Sequence, residues 1–178
     1  VNNMKNGIIV DTSSYVDYSI VNPAHLSSDL QNDICARCHL QGNAVLKDNK
    51  SFFDFRPGMY LKDVMDVYLP RYSNADDKFI MASHFDRMKL SKCYIESETS
   101  LSCVSCHNPH FSVHEIPDNF FNQKCLDCHA QLKCKENDSE KHKFNNDCVR
   151  CHMKVSETID IPHVKITDHK ISIHHHDN

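Results

Sequence analysis

Four short segments of the chain repeat one arrangement of thiols and imidazoles, Cys-x-x-Cys-His. Two cysteines three residues apart lie on the same face of a helix, and the histidine follows at the next position. Such thiols can each form a thioether to one edge of a porphyrin, whose iron the imidazole then binds as the proximal ligand. The four copies are Cys35, Cys38 and His39; Cys103, Cys106 and His107; Cys125, Cys128 and His129; and Cys148, Cys151 and His152.

Three other kinds of site use paired cysteines: zinc knuckles, redox dithiols and iron–sulfur centres. None of them needs a histidine directly after the second cysteine, and all four segments have one. The sequence therefore predicts four covalently attached c-type haems (heme c), which use eight of the ten cysteines.

Covalent haem attachment also predicts a compartment. This thiol chemistry is typical of the exported, oxidising side of a bacterial or archaeal membrane, so we expect a periplasmic, cell-surface or extracellular location. Cys93 and Cys134 remain outside the motifs. We expect a disulfide between them; the alternatives are two independent buried thiols, or pairing outside this chain.

Composition limits the other classes of function. The 178 residues are 40% hydrophobic and include no Trp, so we expect the haems to form much of the interior and the haem-free chain to lack a stable fold. A net charge of −4 gives no electrostatic support for nucleic-acid binding. No stretch approaches the roughly 18 apolar residues of a transmembrane helix, so no transmembrane segment is expected.

The elements that must position the motifs are predicted to be mainly α-helical, with long irregular loops. We expect a haem-free N-terminal segment, residues 1–28, and a tetrahaem cytochrome c domain, residues 29–178. Ser27 or Ser28 can cap a helix from Asp29 to Leu40 that carries the first motif. Each later motif is expected on one helix.

Between the first two motifs, residues 43–58 are expected to form a loop. A helix from Leu61 to Leu69 is predicted to end at Pro70, and a longer helix to start near Asn74. Its helical spacing is carried by Phe79, Ala82, Phe85 and Met88. Pro109 and Pro117 are expected to break the chain between motifs, and the tail, Thr158 to His174, to be mostly extended.

Residues 22–174 resemble a family of bacterial multihaem cytochromes c, some of which carry tetratricopeptide repeats; the likeness is to the C-terminal haem-binding portion. The resemblance implies an electron-transfer group related to multihaem oxidoreductases. The segments that carry it are Ile34 to Gly42, Phe55 to Met59, Ser91 to Tyr94, Cys106 to His110, Ile161 to Val164 and Thr167 to His169.

The chain departs from that family in two ways. Members often carry further haem motifs upstream, and none is present here, so the chain is expected to be the C-terminal part of a larger assembly. In the family the fourth motif usually continues Cys-His-Met-Pro, whereas Lys154 follows Met153 here. This changes how the chain leaves the haem and does not change the ligand.

Each iron needs a sixth ligand if it only transfers electrons. Ten of the fourteen histidines are not proximal, so bis-His ligation of all four haems is predicted, at lower potentials than methionine ligation would give.

Pro109 stiffens the link to His110, which favours His110 as a ligand. His84, on a predicted amphipathic helix, and His163 and His169, in the tail, lie in segments that the resemblance covers. His114, His25, His142 and His174 are reserves, and a core or surface role is the alternative for each candidate.

These observations together predict an electron-transfer protein that is not itself an enzyme. The alternative is the electron-feeding part of a multihaem oxidoreductase that acts on small nitrogen or sulfur compounds. No Cys-x-x-Cys-Lys variant is present to mark a catalytic haem. Expected partners are other redox proteins or cytochromes, including a homo- or hetero-oligomer with haem contacts across its interfaces.

Overall fold

A computed structural model describes residues 20–71, 78–98, 100–117, 119–130 and 145–173. Of these residues 39% are helical, and four short strands form two antiparallel sheets. The described part is therefore a mixture of helices and small sheets, which corrects the prediction of a mainly α fold.

The α-helices are α1 (Ser28–His39), α2 (His84–Lys89), α3 (Lys92–Glu96), α4 (Cys103–Cys106), α5 (Phe120–His129) and α6 (Cys148–His152). The strands are β1 (Asn43–Leu46), β2 (Met65–Tyr68), β3 (Val155–Glu157) and β4 (Lys165–Thr167), and single 3-10 turns occur at Pro23–His25, Leu61–Asp63 and Val113–Glu115.

Helix α1 carries the first motif within one residue of its predicted bounds. Ser27 is its N-cap residue, and the Leu40 amide donates to the Ala36 carbonyl at its end. Beyond it, Gly42 passes so close to strand β2 that a Cβ there would lie 2.6 Å from the Tyr68 carbonyl oxygen. Because glycine has no Cβ, the chain can pass this close to β2 as it runs from α1 into β1.

The hairpin of β1 and β2 replaces a predicted loop and a predicted helix from Leu61 to Leu69. Its register pairs Asn43 with Tyr68 and Leu46 with Met65. Met65 and Val67 pack against the core, while Asp66 between them binds Lys47 at 2.6 Å. Side chains that alternate with a period of two residues bury one face of a strand. This burial outweighs the helical propensity of the segment.

The apolar core lies between α1 and this hairpin. Asp33 of α1 accepts a hydrogen bond from the Leu61 amide at 2.9 Å, and burial raises the pKa of that carboxyl group. The buried members are Ala36, Leu61, Val64 and Met65, surrounded by Leu40, Leu46, Phe55, Met59, Val67 and Phe85. The first motif is thus carried by a helix with protein packed behind it.

Helix α2 is shorter than predicted, because residues 78–83 are not helical. Backbone groups in that stretch bind distant partners: the Gln41 amide donates to the Ala82 carbonyl at 2.8 Å, and the Met81 amide donates to Asp160 at 2.9 Å. Phe79 and Ala82 are buried, as their spacing predicted, but without a helix to carry them. The predicted start near Asn74 lies outside the described residues.

The later motifs each lie on a helix, as predicted, and Pro109 and Pro117 separate α4 from α5. The tail is extended in part: β4 pairs with β3 and joins Lys165 to Glu157. Residues 1–19 lie outside the described part, so the haem-free N-terminal segment stays a prediction. In the described ranges, no helix combines the length and apolar character that crossing a bilayer requires.

Candidate functional site

Four imidazoles from four separate segments form a row. His39 ends α1, His84 begins α2, His107 follows α4 and His169 follows β4. The ring centroids of His39 and His84 are 5.1 Å apart, those of His84 and His169 4.7 Å, and those of His169 and His107 6.1 Å. Two predicted proximal ligands therefore lie at the ends of the row, and two predicted distal ligands lie between them.

The spacing at one end of the row suits a metal centre with two imidazole ligands. A metal-bound imidazole nitrogen lies about 2.0–2.1 Å from the ion, so two rings on opposite sides of one iron have centroids roughly 6 Å apart. His107 and His169 stand at 6.1 Å with their planes 24° apart. His39 and His84 are closer, at 5.1 Å, with planes 86° apart. Of the three neighbouring pairs, only His107 and His169 therefore stand at the separation expected of two ligands of one iron, while His84 lies nearer to both of its neighbours.

The interior of the row favours uncharged imidazoles. Burial, followed by the nearby His169 and His39, lowers the pKa of His84 to about 4. Burial likewise lowers the pKa values of His107 and His169. A neutral imidazole is the form that binds a metal ion, so burial prepares these side chains for ligation.

Hydrogen bonds orient two of the candidate ligands. His169 Nδ1 lies 3.0 Å from the Thr167 carbonyl oxygen, and His152 Nδ1 lies 3.0 Å from the Ser172 carbonyl oxygen. A carbonyl can only accept, so Nδ1 carries the proton and Nε2 keeps a free lone pair. The buried Nδ1 of His84 has no hydrogen-bond partner among the described residues.

A buried ion pair joins the helix of one distal candidate to the tail that carries the other. Arg87 of α2 donates from Nε and Nη2 to the two carboxylate oxygens of Asp168, at 2.9 and 2.6 Å. Ser91 donates to the His169 carbonyl at 3.0 Å and accepts from the Ile171 amide at 2.9 Å. The tail on both sides of His169 is thereby fixed to α2 and its C-terminal end.

The motif cysteines approach one another in pairs. The Cys35 and Cys103 thiols share a hydrogen bond that lowers the pKa of Cys35 to about 7 and raises the pKa of Cys103. Cys125 has a hydrogen bond to Cys148, and burial raises the pKa of Cys125 to about 11. The first motif therefore adjoins the second, and the third adjoins the fourth.

Space for a large group opens beside His107. The cavity there measures about 390 Å³, which is within the usual range for cofactor pockets. Its walls combine three apolar side chains with three polar or basic ones. The lining residues are Val104, His107, Asn108, Pro109, Phe120 and Lys124.

Other predicted ligands are not brought into the row. His110 and His163 are exposed, and the ring contacts of the described residues include neither of them, nor His129 or His152. His163 has φ 65°, in the left-handed region. The ligand roles of His110 and His163 therefore stay predictions. The reserves His25 and His114 are exposed as well, whereas His142 and His174 lie outside the described residues.

No disulfide joins two of the nine described cysteines. The predicted bridge from Cys93 involves Cys134, which lies outside the described residues, and it stays a prediction. In the same described ranges, no three His, Cys, Asp or Glu side chains converge to hold a bare metal ion.

Sequence reasoning missed the residues that support the site, above all Arg87, Asp168 and Ser91. Asp168 adjoins a predicted ligand, but nothing local indicates that its partner is Arg87, 81 positions earlier. Two asparagines, Asn32 and Asn122, were missed although a signal exists: each stands three residues before the first cysteine of a motif.

Comparison with known proteins adds no assignment. No protein-family model matches the chain, and no match was found among curated proteins or solved structures.

Proposed function

We propose that this chain is an electron-transfer protein that carries four covalently bound c-type haems, one on each Cys-x-x-Cys-His segment. When bound, each haem iron takes up or releases one electron between its ferric and ferrous forms. The observation that carries the proposal is the row His39, His84, His169 and His107, whose clustered imidazoles could serve as ligands of haems bound at the first two motifs.

The side chains present fit such a group. In each motif two thiols and an imidazole follow one another within about one helical turn, which matches attachment at one porphyrin edge and ligation below it. Burial lowers the pKa values of His84, His107 and His169, which favours their uncharged form. The Nδ1 atoms of His169 and His152 each lie 3.0 Å from a backbone carbonyl oxygen, which would leave Nε2 free to bind a metal.

Neighbouring motif helices contact one another in sequence order. Helix α1 contacts α4, α4 contacts α5, and α5 contacts α6. Four redox sites placed on these helices would form a continuous relay, entered at one end and left at the other. Each electron accepted would oxidise one donor by one electron, and the last site would reduce one acceptor by one electron, so the natural partners are one-electron redox proteins such as other cytochromes. Such a relay fits a periplasmic, cell-surface or extracellular location, alone or in an oligomer with contacts between haems.

The first test is the intact mass of the mature protein together with its spin state. We expect four haem additions that survive acid–acetone extraction, and a reduced Soret band that carbon monoxide leaves nearly unchanged. Two or fewer haems would contradict the proposal. Rapid stoichiometric carbon monoxide binding at one iron would instead favour an oxidoreductase with an open site.

The second test concerns the row itself. His84→Ala and His169→Ala are each expected to convert one haem to high spin, because each removes one axial ligand, while all four haems stay covalently attached. Phe111→Ala, at an exposed aromatic residue that offers no ligand atom, is the matched control and should stay fully low-spin. If both row variants keep a low-spin spectrum, the ligand assignment is wrong.

A further inference from the structure

The chain contains the same junction twice. Asn32 on α1 stands three residues before Cys35, and Asn122 on α5 stands three residues before Cys125. Each of these longer helices carries the first motif of a pair and adjoins a short helix that begins with a motif cysteine. We call α1 with α4 the N-terminal pair, and α5 with α6 the C-terminal pair.

In the N-terminal pair, one asparagine side chain bridges the two helices. Asn32 Oδ1 accepts a hydrogen bond from the Cys103 amide at 2.9 Å, and its Nδ2 donates to the Leu101 carbonyl at 3.2 Å. Asn32 is completely buried, at 0% exposure, and the Cys103 sulfur lies 3.3 Å from its oxygen. The amide thus ties α1 to the first turn of α4 with both its donor and its acceptor.

In the C-terminal pair, Asn122 makes the equivalent contacts. Its Oδ1 accepts from the Cys148 amide at 2.9 Å, and its Nδ2 donates to the Asn146 carbonyl at 3.2 Å. The partners are again the first cysteine of the following motif and the residue two positions before it. The two junctions therefore share the residue type, its spacing from the motif and the positions of its partners. The asparagine is not part of the Cys-x-x-Cys-His pattern, so that pattern does not account for the likeness.

Each short helix needs such a contact to hold its position. A helix of four or five residues gains too few internal hydrogen bonds to offset the cost of nucleation. Its first amides also lack partners within the helix. Asn122 satisfies the Cys148 amide, while Asp147 accepts from the next two amides, at 2.9 and 3.3 Å. The location of the short helix is therefore set from the long helix.

The thiols show what the junction brings together. In each pair the long helix contacts the short one, and the asparagine binds the amide of the short helix's first cysteine. The thiols of Cys35 and Cys103, and those of Cys125 and Cys148, are close enough to influence each other's pKa. In both pairs the attachment points of two motifs therefore lie side by side. The contact between α4 and α5 joins one pair to the other.

We infer that the chain holds its haems as two equivalent pairs, and that Asn32 and Asn122 are the positioning residues that set the geometry within each pair. The inference rests on the proposed function, since it concerns the same four motifs. Charges interact more strongly the closer they lie in a poorly polarisable interior. Each electron taken up at one site of a pair is therefore expected to raise the cost of reduction at its partner site.

The test is a spectroelectrochemical titration of the haem-loaded protein and of two variants. Asn32→Leu, which removes both hydrogen bonds at similar volume, is expected to shift two of the four midpoint potentials. Asn122→Leu is expected to shift the other two. Asn119→Leu is the matched control, because Asn119 lies at the start of α5 without a side-chain capping bond, and it should shift none. Variants that shift no potential, the same two, or all four equally would overturn the inference.

A second pair of variants covers the case in which leucine prevents folding. Asn32→Ser and Asn122→Ser lose the amide donor without adding charge or bulk to the site, so each is expected to shift the same two potentials. A fall in urea midpoint with all four potentials unchanged would show a purely structural role and overturn the positioning claim. A wild-type protein whose intact mass shows no haem would contradict the proposed function itself. A protein with four haems whose midpoint potentials do not change in the asparagine variants would contradict this inference alone.

Discussion

The two pairs have the same junction and very different surroundings. Helix α1 of the N-terminal pair buries Asn32 and Ala36 and packs against Leu61, Val64 and Met65. In the C-terminal pair neither α5 nor α6 has a fully buried residue. The comparison shows that the junction geometry does not depend on apolar burial. The same arrangement of motif helices forms with a protein core packed behind it and without one.

This difference bears on stability. Complete burial of one large apolar side chain contributes about 1.5–3 kcal/mol, and the described part of the C-terminal pair obtains none from its own helices. Helices of five and ten residues do not persist alone in water. If the proposed haems are bound, they would supply apolar contacts to the C-terminal pair, while the N-terminal pair has a protein core as well.

The largest expected effect comes from withholding haem. In a chain produced without haem attachment, we expect the amides of 120–129 and 148–152 to exchange as in an unfolded chain. Residues 28–39 should keep measurable protection because protein packs behind them. Hydrogen exchange followed by mass spectrometry measures both. Equal protection in the two pairs would remove the proposed dependence of the C-terminal pair on haem.

The next largest effect tests the ion pair that fixes the tail to α2, the helix that begins with His84. Arg87→Met leaves the Asp168 carboxylate buried without its two-point partner, and breaking a buried pair costs about 3–5 kcal/mol. Urea unfolding should show this loss, together with high-spin character at the haem that His169 serves.

Arg71→Met is the matched control for that variant. Arg71 also pairs with an α2 carboxylate, that of Asp86 at 3.1 Å, but its side chain is 74% exposed. Exposed pairs contribute about 0–1 kcal/mol, so this variant should unfold near the wild-type midpoint. Similar losses from both variants would mean that burial of the Arg87 pair does not set its strength.

The smallest expected effects compare one apolar side chain from each region. Met65→Ala in the core should cost about 2–4 kcal/mol, because it removes buried volume next to α1. Leu126→Ala on α5 truncates a side chain that is 45% exposed, and a change within about 0.5 kcal/mol is expected. Urea unfolding of the haem-loaded protein measures both. A loss from Leu126→Ala as large as that from Met65→Ala would contradict the contrast between the two regions.

Prediction from sequence succeeded where the signal is local. Two thiols and an imidazole within five residues define a site whose members one helical turn brings together, so α1 and the later motif helices were predicted from their own residues. The segment from Leu61 to Leu69 failed for the opposite reason. Its strand β2 forms because of Asn43–Leu46, which lies about twenty residues earlier, and no local pattern contains that partner.

The histidines show the same division. The sequence by itself determined the four motifs and a surplus of imidazoles that includes His84, His169, His110 and His163. Only the tertiary structure decided that His84 and His169 stand between His39 and His107 while His110 and His163 lie exposed. The physical reason is that motif chemistry depends on bonds along one helix, whereas the row depends on contacts between segments far apart in the chain. The buried pair of Arg87 with Asp168, 81 positions apart, is one such contact.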